Sequence, residues 1–394
     1  MEQGEIDRPE VTLRTFGLTV YLPGLLFFMG DGAVIPIVTL AARDLGASPA
    51  VAGVIFALRG VGVLAFDLPA GWLVSRIGER RALLLGSFLF VGSLCVWLVT
   101  SSLVVFAVFA FVSGCGWSVW QLARMAYMSE AVPMRIRGRA MSMLGGVNRI
   151  GFFVGPFAGA GLATIGGFDA VFGFCIGLVT AAAVLLTIVV PEGEGLDPGQ
   201  RVRLKEVVRE HSSVLLTAGV GAMLLSGLRA ARFAILPLWA DHIGLSAQGS
   251  SIVVGISLGL EVLLFYPGGS IMDRAGRKAV AIPCLLTMGS GLMLLPLAHS
   301  FETLLLIALF LGLGNGLASG IVMTLGADHA PPGARAQFLG AWRLVSDLGQ
   351  AGGPLGVAGA TAVVAIGGAC VFTGGIGLLG AVFVLLLVPE TLRR

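Results

Sequence analysis

The feature that constrains this chain most is a recurring block of about twenty apolar residues, nearly free of charge, with only a few polar residues before the next block. A helix needs about that many residues to cross a hydrocarbon layer about 30 Å thick. Inside such a layer the backbone has no water to bond to, so each segment must satisfy its own N–H and C=O groups. The blocks are far too long and too uniformly apolar for barrel strands. Composition agrees: 56% of the 394 residues are hydrophobic and 12% charged, against about 25% charged in an ordinary soluble domain. That is too little charge to cover several globular surfaces, so a soluble enzyme or a nucleic-acid binder is excluded.

The apolar blocks fall at about 16–42, 50–73, 82–99, 103–126, 139–163 and 168–190, then at about 212–239, 249–271, 279–298, 303–326, 337–361 and 367–389. The expectation is an all-α integral membrane protein with twelve transmembrane helices. The connections alternate in charge. The N-terminus, the stretches near 74–81, 127–139, 191–211, 272–278 and 327–336, and the C-terminus hold 18 of the 25 Lys and Arg residues. Arg43 is the one base on the opposite connections, and six more arginines lie inside apolar blocks. Positive loops stay inside, so both termini are expected in the cytoplasm of a cell (plasma or bacterial inner) membrane. The five cysteines lie in apolar segments without paired spacing and read as small buried hydrophobes.

Comparing the chain with itself at an offset of 198 residues reveals a repeat. Pro69 matches Pro267, Gly71 matches Gly269, Arg76 matches Arg274 and Gly78 matches Gly276. Further on, Glu130 matches Asp328, Pro133 matches Pro331, and Gly151, Gly155 and Pro156 match Gly349, Gly353 and Pro354. The expected organisation is a cytoplasmic tail (1–15), a six-helix bundle (16–190), a cytoplasmic linker (191–211), a second six-helix bundle (212–389) and a short tail (390–394). Two pseudo-symmetric bundles in the same orientation would place a cargo cavity between them at the midplane.

The repeat, the span count and two loops together resemble the major facilitator superfamily over essentially the whole chain. GSIMDRAGRKAVA at 269–281 resembles the family's signature loop, with Asp273, Arg274, Gly276, Arg277 and Lys278 present. GWLVSRIGERRAL at 71–83 resembles it less closely: Ser75 stands where an acid is expected and Glu79 where a base is expected. The resemblance implies a cytoplasmic latch formed by Asp67, Gly71, Arg76, Gly78, Arg80, Glu130, Asp273, Arg274, Gly276, Arg277 and Asp328; with Ser75 neutral, either the first latch is weaker or Glu79 or Asp67 stands in for the missing acid. GFFVGPFAGAG at 151–161 resembles a motif that the family associates with antiporters, carried here by Gly151, Gly155, Pro156 and Gly159. Small residues four apart let helices approach closely, and the proline supplies a bend.

An ionisable group at the bilayer centre costs about 2.5–3.5 kcal/mol on insertion scales. Buried charges should therefore face the cavity or one another. Asp31, deep in the first span, and Glu261, deep in the eighth, are the candidate proton carriers, because burial and a nearby cation push a carboxyl pKa in opposite directions. Arg59, Asn148, Arg149, Arg232, Trp120, Trp342, Arg343 and Asp347 are the cavity candidates. Arg232 occupies a place in the seventh span close to that of Asp31 in the first, judged from Pro237 and Pro36, which suggests that the two pair across the cavity. Arg124, near the cytoplasmic end of the fourth span, resembles the buried arginine common in the family's proton-coupled exporters, but its surroundings WQLARMAYMSE fit that motif poorly and its place also allows snorkelling.

No nucleotide-binding glycine loop or metal-ligand set occurs in the sequence, so no cofactor is expected and an ion gradient should supply the energy. The expected protein is a proton-coupled exporter of small amphipathic or drug-like molecules, acting as a monomer among membrane lipids by rocking between two facing states. Its alternatives are a gradient-coupled uptake carrier for a polar or anionic metabolite and a lipid or glycolipid flippase.

Overall fold

A computed structural model describes residues 17–131, 134–189, 209–331 and 335–391. The chain is helical throughout: α1 (Leu22–Asp44), α2 (Pro49–Ile77), α3 (Glu79–Val99), α4 (Leu103–Ala131) and α5 (Met134–Val189) are followed by α6 (Val220–His242) and α7 (Ala247–Ala275). Then come α8 (Lys278–Leu294), α9 (Phe301–Leu317), α10 (Ile321–His329) and α11 (Arg335–Leu387). Ten helices among the described residues are long and apolar enough to cross a membrane, which makes this a multi-pass integral membrane protein.

Two helices are too long to be single straight rods. α5 has 56 residues and α11 has 53, so each would extend about 80 Å, against about 30 Å of hydrocarbon. Each contains one break in helical geometry, at Gly166–Gly167 in α5 and at Val364–Ala365 in α11. The break in α5 falls between the fifth and sixth apolar blocks, and its partner lies 198 residues further on. Likewise, the tenth apolar block is interrupted between α9 and α10 at residues 318–320.

Two helix bundles pack against each other. In the first, α1 lies on α5 and α4 lies on α2 and α3; in the second, α11 lies on α6 and α8, and α9 lies on α7. The seam between bundles is made by α2 with α11, α5 with α7 and α1 with α6. Turn chemistry repeats between the bundles. Ser48 caps α2 through the Val51 N–H, and Ser246 caps α7 through the Gly249 N–H. The glycines before them, Gly46 and Gly244, take positive φ, as do Gly78 and Gly276 at the turns after α2 and α7, a conformation that only glycine adopts without strain.

The glycines of the fifth and eleventh blocks act as close-packing points. A Cβ on Gly155 would sit 2.5 Å from the Met29 carbonyl oxygen of α1, and one on Gly353 would run into the Gly227 carbonyl of α6. The Gly151 and Gly159 positions press on the same α1 face, against Phe28 and Ala33. Backbone-to-backbone approach is thus what Gly151, Gly155 and Gly159 provide, while Pro156 lies within a continuous helix. All five cysteines are free thiols; four are buried as expected. Cys95 instead lies on the outer face of α3, where lipid rather than protein covers an apolar side chain.

Candidate functional site

Most of the charges set into the apolar helices come together in pairs and clusters near mid-depth. Asp31 is midway along the apolar helical span Gly17–Asp44, about 20 Å from either end. It is only 2% exposed and accepts a 2.5 Å ion-pair contact from Arg59 of α2. The Arg59 guanidinium also lies 5.8 Å from the Phe90 ring centre. In the second bundle the same kind of pair recurs with its order reversed: Arg232 of α6 is bonded to Glu261 of α7. The second Glu261 oxygen accepts a 2.5 Å hydrogen bond from Asn315 of α9. Glu261 lies midway along α7, about 21 Å from each end.

These partners correct the expectation that Arg232 meets Asp31 across the seam. Each acid sits one helix away from an arginine of its own bundle, and that short route satisfies the charge without bridging two bodies. Arg59 and Arg232, both expected in a cavity, are thereby held inside their bundles. Trp120 is likewise interior, stacked on Phe27 with ring centres 4.0 Å apart. Trp342 is 3% exposed and donates its indole N–H to the Val322 carbonyl at 2.9 Å. Arg124 does not snorkel: it is 2% exposed, bonded to Asn148 at 3.0 Å and Gln121 at 2.8 Å, with the Phe28 and Trp120 rings beside it. Neutral oxygens and ring faces are its partners because no carboxylate lies within reach on the neighbouring described helices.

Charges also meet across the seam. Arg343 of α11 reaches Asp67 of α2 at 3.2 Å and Asp347, one turn along its own helix, at 3.3 Å. Asp67 also accepts from Ser118 of α4 at 2.6 Å. Asp67 therefore links the bundles rather than substituting at Ser75, whose hydroxyl bonds the Trp72 carbonyl. On the other flank, the Arg149 guanidinium of α5 lies over the Phe265 ring of α7 at 3.7 Å. At the rim where α1 and α6 end, Arg43 meets Asp241 at 3.0 Å. These two residues occupy equivalent places in the repeat, at the ends of α1 and α6.

The signature-like loop between α7 and α8 is densely bonded. Arg277 forks onto Asp328, Nε to Oδ2 at 2.7 Å and Nη2 to Oδ1 at 3.3 Å. Hydrogen bonding to that carboxylate pushes the guanidinium still further above its already high pKa. Thr391 donates to Asp328 at 2.6 Å. The Glu390 carboxylate accepts the N–H groups of Arg277 at 2.9 Å and Lys278 at 3.0 Å, so an anion caps the positive end of α8. Asp273 and Arg274 are exposed. In the first loop Arg76 is exposed and lies over the Trp72 ring, and Gly71 faces Leu122 at an ordinary distance. Arg80 bonds the Thr187 carbonyl at 2.6 Å, and its counterpart Lys278 bonds the Leu385 carbonyl at 2.8 Å. The side chain of Glu130 lies outside the described residues.

Three contributors were missed in the sequence. Asn315 gives no signal beyond being a polar residue in an apolar run. Asp241 could have been found as the acid 198 residues after the lone outer base, Arg43. Glu390 belongs to a Pro-Glu pair that repeats Pro191-Glu192.

Comparison with known proteins bears on what this architecture is. The profile described as Major Facilitator Superfamily matches residues 20–354 and 218–394. The chain belongs to that superfamily. Among curated relatives, multidrug resistance protein 2 of Bacillus subtilis is 22% identical over 303 residues, covering 74% of this chain and 75% of that protein. Among solved structures, a POT family transporter in complex with a thioalcohol-conjugated peptide superposes with a TM-score of 0.82 at 15% identity, covering 96% of this chain and 97% of that one. A D-xylose–proton symporter superposes with a TM-score of 0.76 at 19% identity, covering 97% and 99%. Membership fixes the general activity as secondary-active transport of a small molecule across a membrane, with no enzymatic step.

Proposed function

We propose that this superfamily member is a proton-coupled exporter of small amphipathic or drug-like molecules. Counting each bent helix as two crossings, it spans the cell membrane twelve times, with residues 16–190 and 212–389 as the rocking bodies, the 191–211 linker between them and the termini cytoplasmic. It works as a monomer. The relative named for multidrug resistance supports the export direction.

The observation that carries the reading is the Arg232–Glu261–Asn315 triad at mid-depth. A carboxylate there holds Arg232 in place, whereas a carboxylic acid has no charge with which to hold it. Proton binding would therefore release a guanidinium beside the seam and change which facing state is favoured. Glu261 suits this task better than Asp31. One turn along α7 from it, Phe265 carries Arg149 of the opposite bundle, so its protonation would be felt by both moving bodies. Asp31 lies beside Arg59 and Cys175, within its own bundle. The Arg277–Asp328 fork, with Asp273, Arg274 and Gly276 around it, would fasten the cytoplasmic rim in one state and open in the other. Arg76, Arg80, Gly78 and Glu130 would do the same for the first loop.

The test is reconstitution into liposomes with an imposed pH gradient. An exporter driven by proton exchange accumulates cargo in an acid lumen, whereas accumulation in an alkaline lumen would mark symport and overturn the export reading. Glu261→Gln should abolish gradient-driven accumulation while exchange of cargo down its own gradient continues. Asp31→Asn should leave driven accumulation in place. Driven accumulation that survives in Glu261→Gln would remove the coupling role from that residue.

A further inference from the structure

Among the described residues, the apolar spans enclose four acids near mid-depth or the seam, Asp31, Asp67, Glu261 and Asp347, and six arginines, at 59, 124, 149, 229, 232 and 343. The acids are taken up by Arg59, Arg232 and Arg343. Three arginines remain without a carboxylate. Arg124 is sealed inside the first bundle by Asn148, Gln121 and two ring faces. The other two are different. Arg149 is half-buried, and its one close partner among the described residues is the Phe265 face. A guanidinium lying flat on a ring keeps its in-plane N–H donors pointing away from that ring. Arg229 is also half-buried; it gives one N–H to the Ala318 carbonyl at 2.7 Å and keeps a buried Nε without an acceptor.

These two groups belong to opposite bundles, α5 and α6, and each is fixed about one turn from the Glu261–Asn315 bond: Arg149 on Phe265, four residues after Glu261, and Arg229 on the Ala318 carbonyl, three residues after Asn315. With Arg232 they make three guanidinium groups around one carboxylate, at the depth where an unmatched charge is most costly. Beside them the α5 rings press on α7: Phe153 meets Gly259, and Phe157 meets Gly255. Cation surplus, unused donors and aromatic walls thus coincide on the seam that alternating access would open.

We infer that the transported molecule carries a compact anionic group (carboxylate, sulfonate or phosphonate) on an apolar body, and that Arg149 and Arg229 together receive the anion. The inference rests on the transport reading above and names its cargo class. Two guanidinium forks from different bundles match an oxyanion bidentately. An anion held between them also draws the bundles together, so cargo binding and seam closure would be one event.

Equilibrium binding in lipid nanodiscs tests this with three probes that share one ring system: 2-naphthoate, 2-naphthamide and 2-naphthylmethylammonium. The expected order places naphthoate tightest. Arg149→Gln and Arg229→Gln should each weaken naphthoate roughly ten- to a hundredfold and leave naphthamide unchanged. Arg149→Lys should recover part of the loss, and Arg149→Glu should turn the preference toward the ammonium. Gel filtration and thermal unfolding establish that each variant is folded. Wild-type protein that binds the ammonium as tightly as naphthoate, or fails to bind naphthoate in the millimolar range, overturns the inference. So does unchanged naphthoate affinity in both glutamine variants. Exchange assays in liposomes separate the two readings. Charge-selective binding without any exchange sinks the transport mechanism and leaves the anion site. Exchange that ignores probe charge and both arginines sinks the anion site and leaves the transport mechanism.

Discussion

The two halves of this protein share their turns and differ in their charges. Where the backbone must reverse or two helices must touch, equivalent positions carry the same device: the Ser48 and Ser246 caps, the positive-φ glycines at 46, 78, 244 and 276, and the tie from Arg80 or Lys278 to a carbonyl near the end of the same half. Where side chains meet inside the membrane, the halves part. The first half holds its acid on its first helix and its arginine on the second; the other half does the reverse and adds Asn315. The second half also sets Arg229 beside this triad, with one N–H on the Ala318 carbonyl. The difference teaches that a repeated scaffold fixes where charges can sit, while the charges themselves divide the labour. The first half carries a closed pair, and the second carries a pair with neighbours across the seam.

The largest expected effect comes from breaking these pairs. Removing one partner of a buried ion pair costs about 3–5 kcal/mol, because the other charge is left buried. Glu261→Ala strands Arg232, which is 1% exposed, whereas Asp31→Ala strands Arg59, whose side chain is 12% exposed and has the Phe90 ring beside it. Thermal unfolding in detergent should therefore show the larger loss for Glu261→Ala. Equal losses would mean that the two pairs are energetically alike and that the added Asn315 contact has no bearing on stability.

The fold was legible in the sequence because its determinants are local. Twenty-residue apolar runs force helices, and repeated Gly, Pro and Arg at one offset reveal the duplication. The two long bent helices show the limit of that reading. The turn at Gly166–Gly167 lies between two apolar blocks, yet hydrogen bonding carries helix almost through it. The site was legible only as a set of unusual residues. Asp31, Arg59, Arg232 and Glu261 stand out because charge in lipid is costly, but which acid meets which arginine depends on helix rotation and packing, and no spacing along the chain encodes that. The Arg343–Asp347 contact was readable, since residues four apart share a helix face. Asp67, far away in the chain, completes that cluster only once α2 and α11 are packed.

The bends offer an intermediate test of the same comparison. Gly167 has φ +62° and its counterpart Ala365 has φ +60° with ψ 174°, a region that costs a residue with a side chain about 1–3 kcal/mol. The first half thus turns without strain and the second half with it. Gly167→Ala should lower unfolding stability by about 1–2 kcal/mol. Ala365→Gly should raise it by less, because glycine gives back part of the gain as conformational freedom in the unfolded chain. Two changes of the same sign would show that the turns are held differently from what their dihedrals imply.

The smallest effect on stability is expected where the halves meet symmetrically. Arg43 and Asp241 each keep about a third of their side-chain surface exposed, so solvent screens the pair to about 0.2–1 kcal/mol. On the proposed topology its effect would be on conformation rather than stability, because it spans the two bodies at the rim that would open in the outward-facing state. Even 0.5 kcal/mol shifts a two-state equilibrium about twofold. Arg43→Ala and Asp241→Ala should leave the melting temperature nearly unchanged while raising, by about that factor, the labelling rate of a cysteine placed on the outer seam. The exchanged double variant, Arg43→Asp with Asp241→Arg, should restore the wild-type rate, because the two positions are related by the repeat and the pair is indifferent to which half supplies the acid. Restoration would set this rim contact apart from the membrane-buried pairs, where the order of charges is what separates one half from the other. A double variant as fast as the single ones would show that the rim is held by packing of α1 on α6 alone.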